Sequence, residues 1–171
     1  MTPQVREGQL IFAFPDDWIV LKYDALSYVR KHLGGFGGGS KAVDIVALDA
    51  PQGSLWVIEV KDYKDWRRQK TMGLVDEVSK KMRDSLAGLV VLMHRGGADY
   101  PAVAKKLLCE AQHLRIVLHL ERPAVPSRLR PDLMDPKTLH DALRRELKFV
   151  DNQARVTSRG MANVPWSVSR A

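Results

Sequence analysis

Apolar positions recur along the chain with two different spacings, and the spacing separates strands from helices. Leu10-Ile-Phe-Ala-Phe14 is a short apolar run, suited to a strand or an anchoring segment, and Pro15-Asp16-Asp17 ends it. An extended apolar pattern resumes at Trp18-Ile-Val-Leu21. From Tyr23 to Leu33 the apolar residues Leu26, Val29 and Leu33 fall at helical spacing, which predicts an amphipathic helix. Ala42 to Leu48 and Leu55 to Lys61 read as strands, and the turn formers of Asp49 to Ser54 join them as a β-hairpin. A helix is predicted from about Thr71 to Leu86, with Met72, Val75, Val78, Met82 and Leu86 on one face. Gly88 offers a tight exit, and Leu89 to Met93 reads as a short strand buried on both faces, followed by a turn at His94-Arg-Gly-Gly. Pro101 begins another helix, running to about Gln112, and Leu114 to Leu120 is the next strand. Pro123, Pro126 and Pro131 mark an extended basic connection. Asp135 as N-cap and Pro136 at the first turn introduce a last helix, to about Lys148.

This order of hairpin, helices and strands predicts an α/β domain with a mixed central sheet flanked by helices. Residues 1–152 are expected to form this single domain and 153–171 a basic, partly mobile tail. A length of 171 residues supports one proper core. The run Gly34-Gly-Phe-Gly-Gly-Gly-Ser40 lies between a helix and a strand, the reverse of a phosphate-cradling loop, so it reads as a flexible connection.

Composition narrows the class. Apolar residues make up 45% and charged residues 27%, the profile of an ordinary globular domain. No apolar run reaches the roughly 18–20 residues of a membrane span, so no membrane partner is expected. The first residues, Met-Thr-Pro-Gln-Val-Arg-Glu-Gly, lack the features of a signal peptide, which makes the cytoplasm the expected location. The lone Cys109 has no disulfide partner and reads as a buried structural thiol. The net charge of +7 favours a polyanion partner, through phosphate contacts and counterion release.

The candidate chemistry lies in Lys41-Ala-Val-Asp44-Ile and Leu55-Trp-Val-Ile-Glu59-Val-Lys61. Alternate strand residues share a face, so Glu59 and Lys61 point the same way, and Asp44 on the partner strand can sit opposite them. Two carboxylates, with a backbone carbonyl such as that of Val60, can hold Mg²⁺ or Mn²⁺ and leave room for water and phosphate. A lysine beside them can orient a nucleophile or stabilise charge on phosphorus. The alternative is a surface salt bridge between strands, worth little energetically. The apolar setting of Asp44, between Val43 and Ile45, argues against it.

An Asp in an apolar strand, followed by Glu-x-Lys at the end of the next, resembles the signature of the PD-(D/E)XK nuclease superfamily, which includes restriction endonucleases and Holliday-junction resolvases. The resemblance covers roughly Trp18 to Met93, with Val43 standing where the family's proline is usually written. It implies Asp44 and Glu59 as metal ligands, Lys61 as the catalytic lysine, and Asp24 as a possible further acid from the preceding helix. It also implies a divalent-metal-dependent nuclease acting on phosphodiesters, most readily of DNA, by metal-activated water. Homodimers are common in the superfamily, which makes a homodimer an expectation by analogy.

Several further residues carry two readings. Lys80, Lys81 and Arg83 either contact phosphates or form a solvated helix face. Arg67 and Arg68 fall in a loop just after the motif and are expected at the substrate edge, while Trp66 either stacks on a base or anchors that loop. Gln69 is a minor candidate for a polar site residue. The five histidines show no metal-ligand spacing, and His94 is the one singled out for testing. The alternative function is a nucleic-acid- or partner-binding module on the same fold, with cleavage weak, lost or dependent on a protein partner that supplies specificity. A third class is a basic structural subunit without a nucleic-acid role.

Overall fold

The structure, a computed structural model, describes residues 2–64, 73–95, 100–122 and 135–171. Strands β3 (Ile19–Lys22), β4 (Ile45–Asp49), β5 (Ser54–Asp62), β6 (His113–Glu121) and β7 (Arg155–Thr157) form a five-stranded sheet in that spatial order. β3, β4 and β5 are antiparallel neighbours, whereas β5–β6 and β6–β7 are parallel. The sheet is therefore mixed, as the sequence pattern predicts. The β4–β5 hairpin closes through Gly53 at φ +57°, a left-handed conformation that glycine adopts without penalty, and Asp49 Oδ1 accepts the Gln52 amide at 3.2 Å. Each parallel step requires a crossover, and helices supply it: α2 (Leu74–Arg95) with α3 (Tyr100–Cys109) between β5 and β6, and α4 (Pro136–Leu147) between β6 and β7.

The strand period divides the core in two. On one face Val46, Leu48, Leu55 and Val57 pack with Val29 of α1 (Ser27–His32), with Val78, Met82, Leu89 and Leu92 of α2, with Leu107 of α3, and with Leu139 and Leu143 of α4. On the other face Ile45, Ala47, Trp56, Ile58 and Val60 pack against Leu10, Phe12, Phe14, Trp18 and Trp166. That second face is covered by a small antiparallel sheet of β1 (Gln4–Glu7), β2 (Leu10–Ala13) and β8 (Ser167–Arg170). The result is three layers: helices, mixed sheet, small sheet.

Five sequence expectations need correction. Leu89–Met93 is helical, not a strand. Leu89 and Leu92 continue the buried stripe of Val78, Met82 and Ser85, while Val90 and Val91 are exposed. A continuous apolar run hides helical periodicity, and tertiary packing decides it. Gly88 is no exit; it lies inside α2, at a position where a side chain would meet Tyr23 Oη at 2.5 Å. The predicted Tyr23–Leu33 helix is broken into a 3-10 turn at Tyr23–Ala25, α1, and a second 3-10 turn at Leu33–Gly35. Cys109 is exposed at the end of α3 rather than buried. Finally, the expected tail beyond residue 152 supplies β7 to the main sheet and β8 to the small one, and Trp166 between them is buried against Trp56 at 5.2 Å between ring centroids. Its sparse apolar content conceals this, because the burial comes from a sheet formed with the distant N-terminus.

The last helix matches expectation. The Asp135 carboxylate accepts the Lys137 and Thr138 amides, each at 3.1 Å, and Pro136 occupies the first turn. Among the described residues no helix is long and apolar enough to cross a membrane.

Candidate metal centre

Glu59 and Lys61 lie on the helix-covered face of β5, and Glu59 is one residue beyond the Ile45–Ile58 pair. Asp44 immediately precedes β4 and is carried to the same place. Its position is secured from three sides. The Val43 amide donates to Ser85 Oγ at 2.9 Å and the Lys41 amide to Asp84 Oδ2 at 3.1 Å, both on α2. The Tyr23 amide donates to the Asp44 carbonyl at 2.9 Å. The Asp44 side chain then turns to β5, where Oδ2 accepts the Val60 amide at 2.6 Å. The Val60 group seen engaged with Asp44 is thus its amide.

The structure brings the three motif residues together and adds others. Lys61 Nζ lies 2.6 Å from Glu59 Oε1 and 2.9 Å from Glu77 Oε1 of α2. Lys81, four residues further along α2, reaches the same Glu59 oxygen at 2.6 Å. Glu59 is fully buried, and its second oxygen, Oε2, has no hydrogen-bond partner among the described residues. On the other side of Asp44, carboxylate oxygens of Glu7, Asp24 and Asp44 lie within 4.8 Å of one another. Lys22 pairs there with Glu7 and, at 3.0 Å, with Asp24. Asp24 therefore does face the cluster. Glu7 was invisible to motif reading: it arrives from β1, whose place depends on the small sheet. The convergent acids are Asp44, Asp24 and Glu7, with Glu59 beside Asp44 but already covered by two ammonium groups.

Electrostatics follow from burial. Asp44 is pushed up to about 7, first by burial and then by the neighbouring Glu59 charge; Lys81 and the Val60 amide oppose the rise without cancelling it. Burial pulls Lys61 down, but Glu59 and Glu77 outweigh it and hold the ammonium above the ordinary lysine range. These residues could hold a divalent cation. Three carboxylate oxygens converge within the span that a six-coordinate ion bridges. Asp44 lacks an ion pair among the described residues, and one buried Glu59 oxygen lacks any partner.

The remaining candidates scatter. Lys80 pairs with Asp84 at 2.9 Å and donates to the Gly39 carbonyl, away from Glu59. The Arg83 side chain is 74% exposed. Lys81, expected on a solvated face or at a phosphate, is instead packed into the cluster. Arg67, Arg68, Trp66 and Gln69 lie outside the described residues. His94 is exposed near the end of α2. The histidine with an unusual setting is His119. It is buried on the opposite face of the sheet, 3.0 Å from Glu121 Oε1, with Nδ1 unpartnered among the described residues and its pKa lowered by burial despite Glu121.

No family model matches the chain, and no solved structure matches it. The chain is similar to a cysteine–tRNA ligase of Neisseria meningitidis serogroup A / serotype 4A, with 29% identity over 207 aligned positions. The match covers 96% of this chain and 29% of the ligase, so the chain spans less than a third of the curated relative's length.

Proposed function

We propose that this chain is a divalent-metal-dependent nuclease that hydrolyses phosphodiester bonds, with DNA as the leading substrate. The observation that carries this reading is the meeting of Asp44, Glu59 and Lys61 at one end of the sheet, with Glu59 fully buried and Asp24 adjoining. Such a density of buried carboxylates is costly unless cations balance it. Asp44, Glu59 and Asp24 would hold Mg²⁺ or Mn²⁺, with the Val60 carbonyl as a further ligand and Glu7 available from β1. When bound, the ion supplies neutralisation of phosphate oxygens and a more acidic water. Lys61, clamped between Glu59 and Glu77, remains an ammonium at neutral pH and presents a fixed positive charge at the reacting phosphate. The net charge of +7 favours a polyanionic substrate.

The test is cleavage. Purified protein with Mg²⁺ or Mn²⁺ is expected to nick or degrade DNA, and Glu59→Gln or Lys61→Met is expected to lower cleavage at least about 100-fold while the fold persists. The similar protein is a tRNA ligase, so structured RNA belongs in the same assay. Undiminished cleavage by both variants would sink the assignment.

One observation favours the second reading, a nucleic-acid- or partner-binding module without cleavage of its own. Glu59 Oε1 already carries two ammonium groups, so the chain partly neutralises its own site. Salt-sensitive DNA binding with no metal-dependent cleavage would select this alternative.

A further inference from the structure

We infer that Lys81 is an internal stand-in for the divalent cation, holding Glu59 in the metal-free protein and transferring to a substrate phosphate when the metal enters. The inference rests on the metal-site reading above and does not require that the protein cut anything.

The two lysines on Glu59 are not equivalent. Both ammonium groups lie 2.6 Å from the same oxygen, Oε1. Lys61 has a second anchor, Glu77 Oε1 at 2.9 Å, and stays paired whatever happens to Glu59. Lys81 pairs with Glu59 alone among the described residues. It extends from α2, one turn beyond Glu77, on a flexible four-carbon stem. Its side chain is 14% exposed, so a route to solvent is open.

Were Asp44 and Glu59 to hold a dication, the Lys81 ammonium that now covers Glu59 Oε1 would face a like charge. Repulsion of like charges in a partly buried site is strong. Lys61 is retained by Glu77; Lys81 feels the Asp44 charge but makes no second ion pair among the described residues. Expelled alone, the ammonium would lose its ion pair, and this loss opposes metal binding. A phosphodiester beside the site offers the displaced ammonium new acceptor oxygens. Metal and phosphodiester therefore strengthen each other's binding, reciprocally, through one side chain.

Titration of the full chain with Mn²⁺, followed by calorimetry and by the thermal midpoint, tests this. The titration is run with and without a phosphorothioate-backbone oligonucleotide. For the wild type the oligonucleotide is expected to tighten Mn²⁺ binding by about fivefold or more. Lys81→Met is expected to bind Mn²⁺ about tenfold more tightly than wild type without oligonucleotide, and to lose the coupling. Lys61→Met is expected to retain the coupling. Lys81→Gln provides the same readout if the methionine variant folds poorly. Unchanged or weaker Mn²⁺ affinity in a folded Lys81 variant would overturn the inference, as would persistent coupling, or Mn²⁺ binding to neither protein. If the metal titrations behave as expected while no nucleic acid is cut, the nuclease reading fails and the role of Lys81 stands.

Discussion

Asp44 Oδ2 accepts the Val60 amide at 2.6 Å, tying the residue that heads β4 to the strand carrying Glu59 and Lys61. This bond faces Asp44 toward a buried carboxylate rather than toward solvent; burial and then the Glu59 charge raise the Asp44 pKa, and the Val60 bond itself opposes that rise. It also makes Asp44 a reporter of the whole cluster.

A stability profile against pH follows. The Asp44 carboxyl titrates near 3.8 in an unfolded chain and near 7 in the fold. Below pH 4 both states are protonated and the group contributes no difference. Between about pH 4 and pH 7 the unfolded chain releases this proton while the fold keeps it, so the metal-free protein loses stability as pH rises. The loss levels off above pH 7, at up to about 4 kcal/mol. Asp44→Asn is expected to flatten this slope in thermal unfolding, and Mn²⁺ is expected to raise the wild-type midpoint more at pH 8 than at pH 5. A slope that Asp44→Asn leaves intact would show that another group controls it.

Gly88 and Tyr23 form a second coupled pair. A side chain at position 88 would come 2.5 Å from Tyr23 Oη and 3.4 Å from Leu33 Cδ1. Alanine is the better helix former by about 1 kcal/mol, but the overlap costs about 1–3 kcal/mol, so Gly88→Ala is expected to destabilise. Tyr23→Phe removes the offending oxygen, at the expense of a 3.3 Å bond to the Ser85 carbonyl. The double variant is therefore expected to be more stable than the sum of the two single effects. Additive denaturation midpoints would argue that α2 does not press on Tyr23.

Trp166 tests the role of the C-terminal segment. Its ring meets Phe14 at 5.4 Å, Trp56 at 5.2 Å and Trp18 at 6.1 Å between centroids. Trp166→Ala is expected to cost about 3–5 kcal/mol in chemical denaturation. Removal of residues 153–171 is expected to do more, since it takes away both β7 and β8. A truncated chain with an unchanged midpoint would return this segment to the status of a tail.

Much of this protein is legible in its amino-acid order. The β4–β5 hairpin, the strand at Leu114–Leu120 and the Asp135-capped helix follow from local periodicity and turn chemistry. Glu59 and Lys61 share a face because the strand period is two, and Asp44 joins them because a short hairpin leaves little freedom of register. Tertiary structure decided what depends on distant neighbours. The run Leu89–Met93 is helical because α2 continues to bury Leu89 and Leu92, a choice that a featureless apolar run cannot announce. Lys81 turns inward because Glu59, 22 positions away, is buried without enough positive charge. Glu7 reaches Asp24 and Asp44 because β1 belongs to a sheet completed by β8, at the far end of the chain. Local order dictates which residues can form a strand or a cap. Which charges end up sharing a buried space is a property of the packed fold, since only there do desolvation and proximity act together.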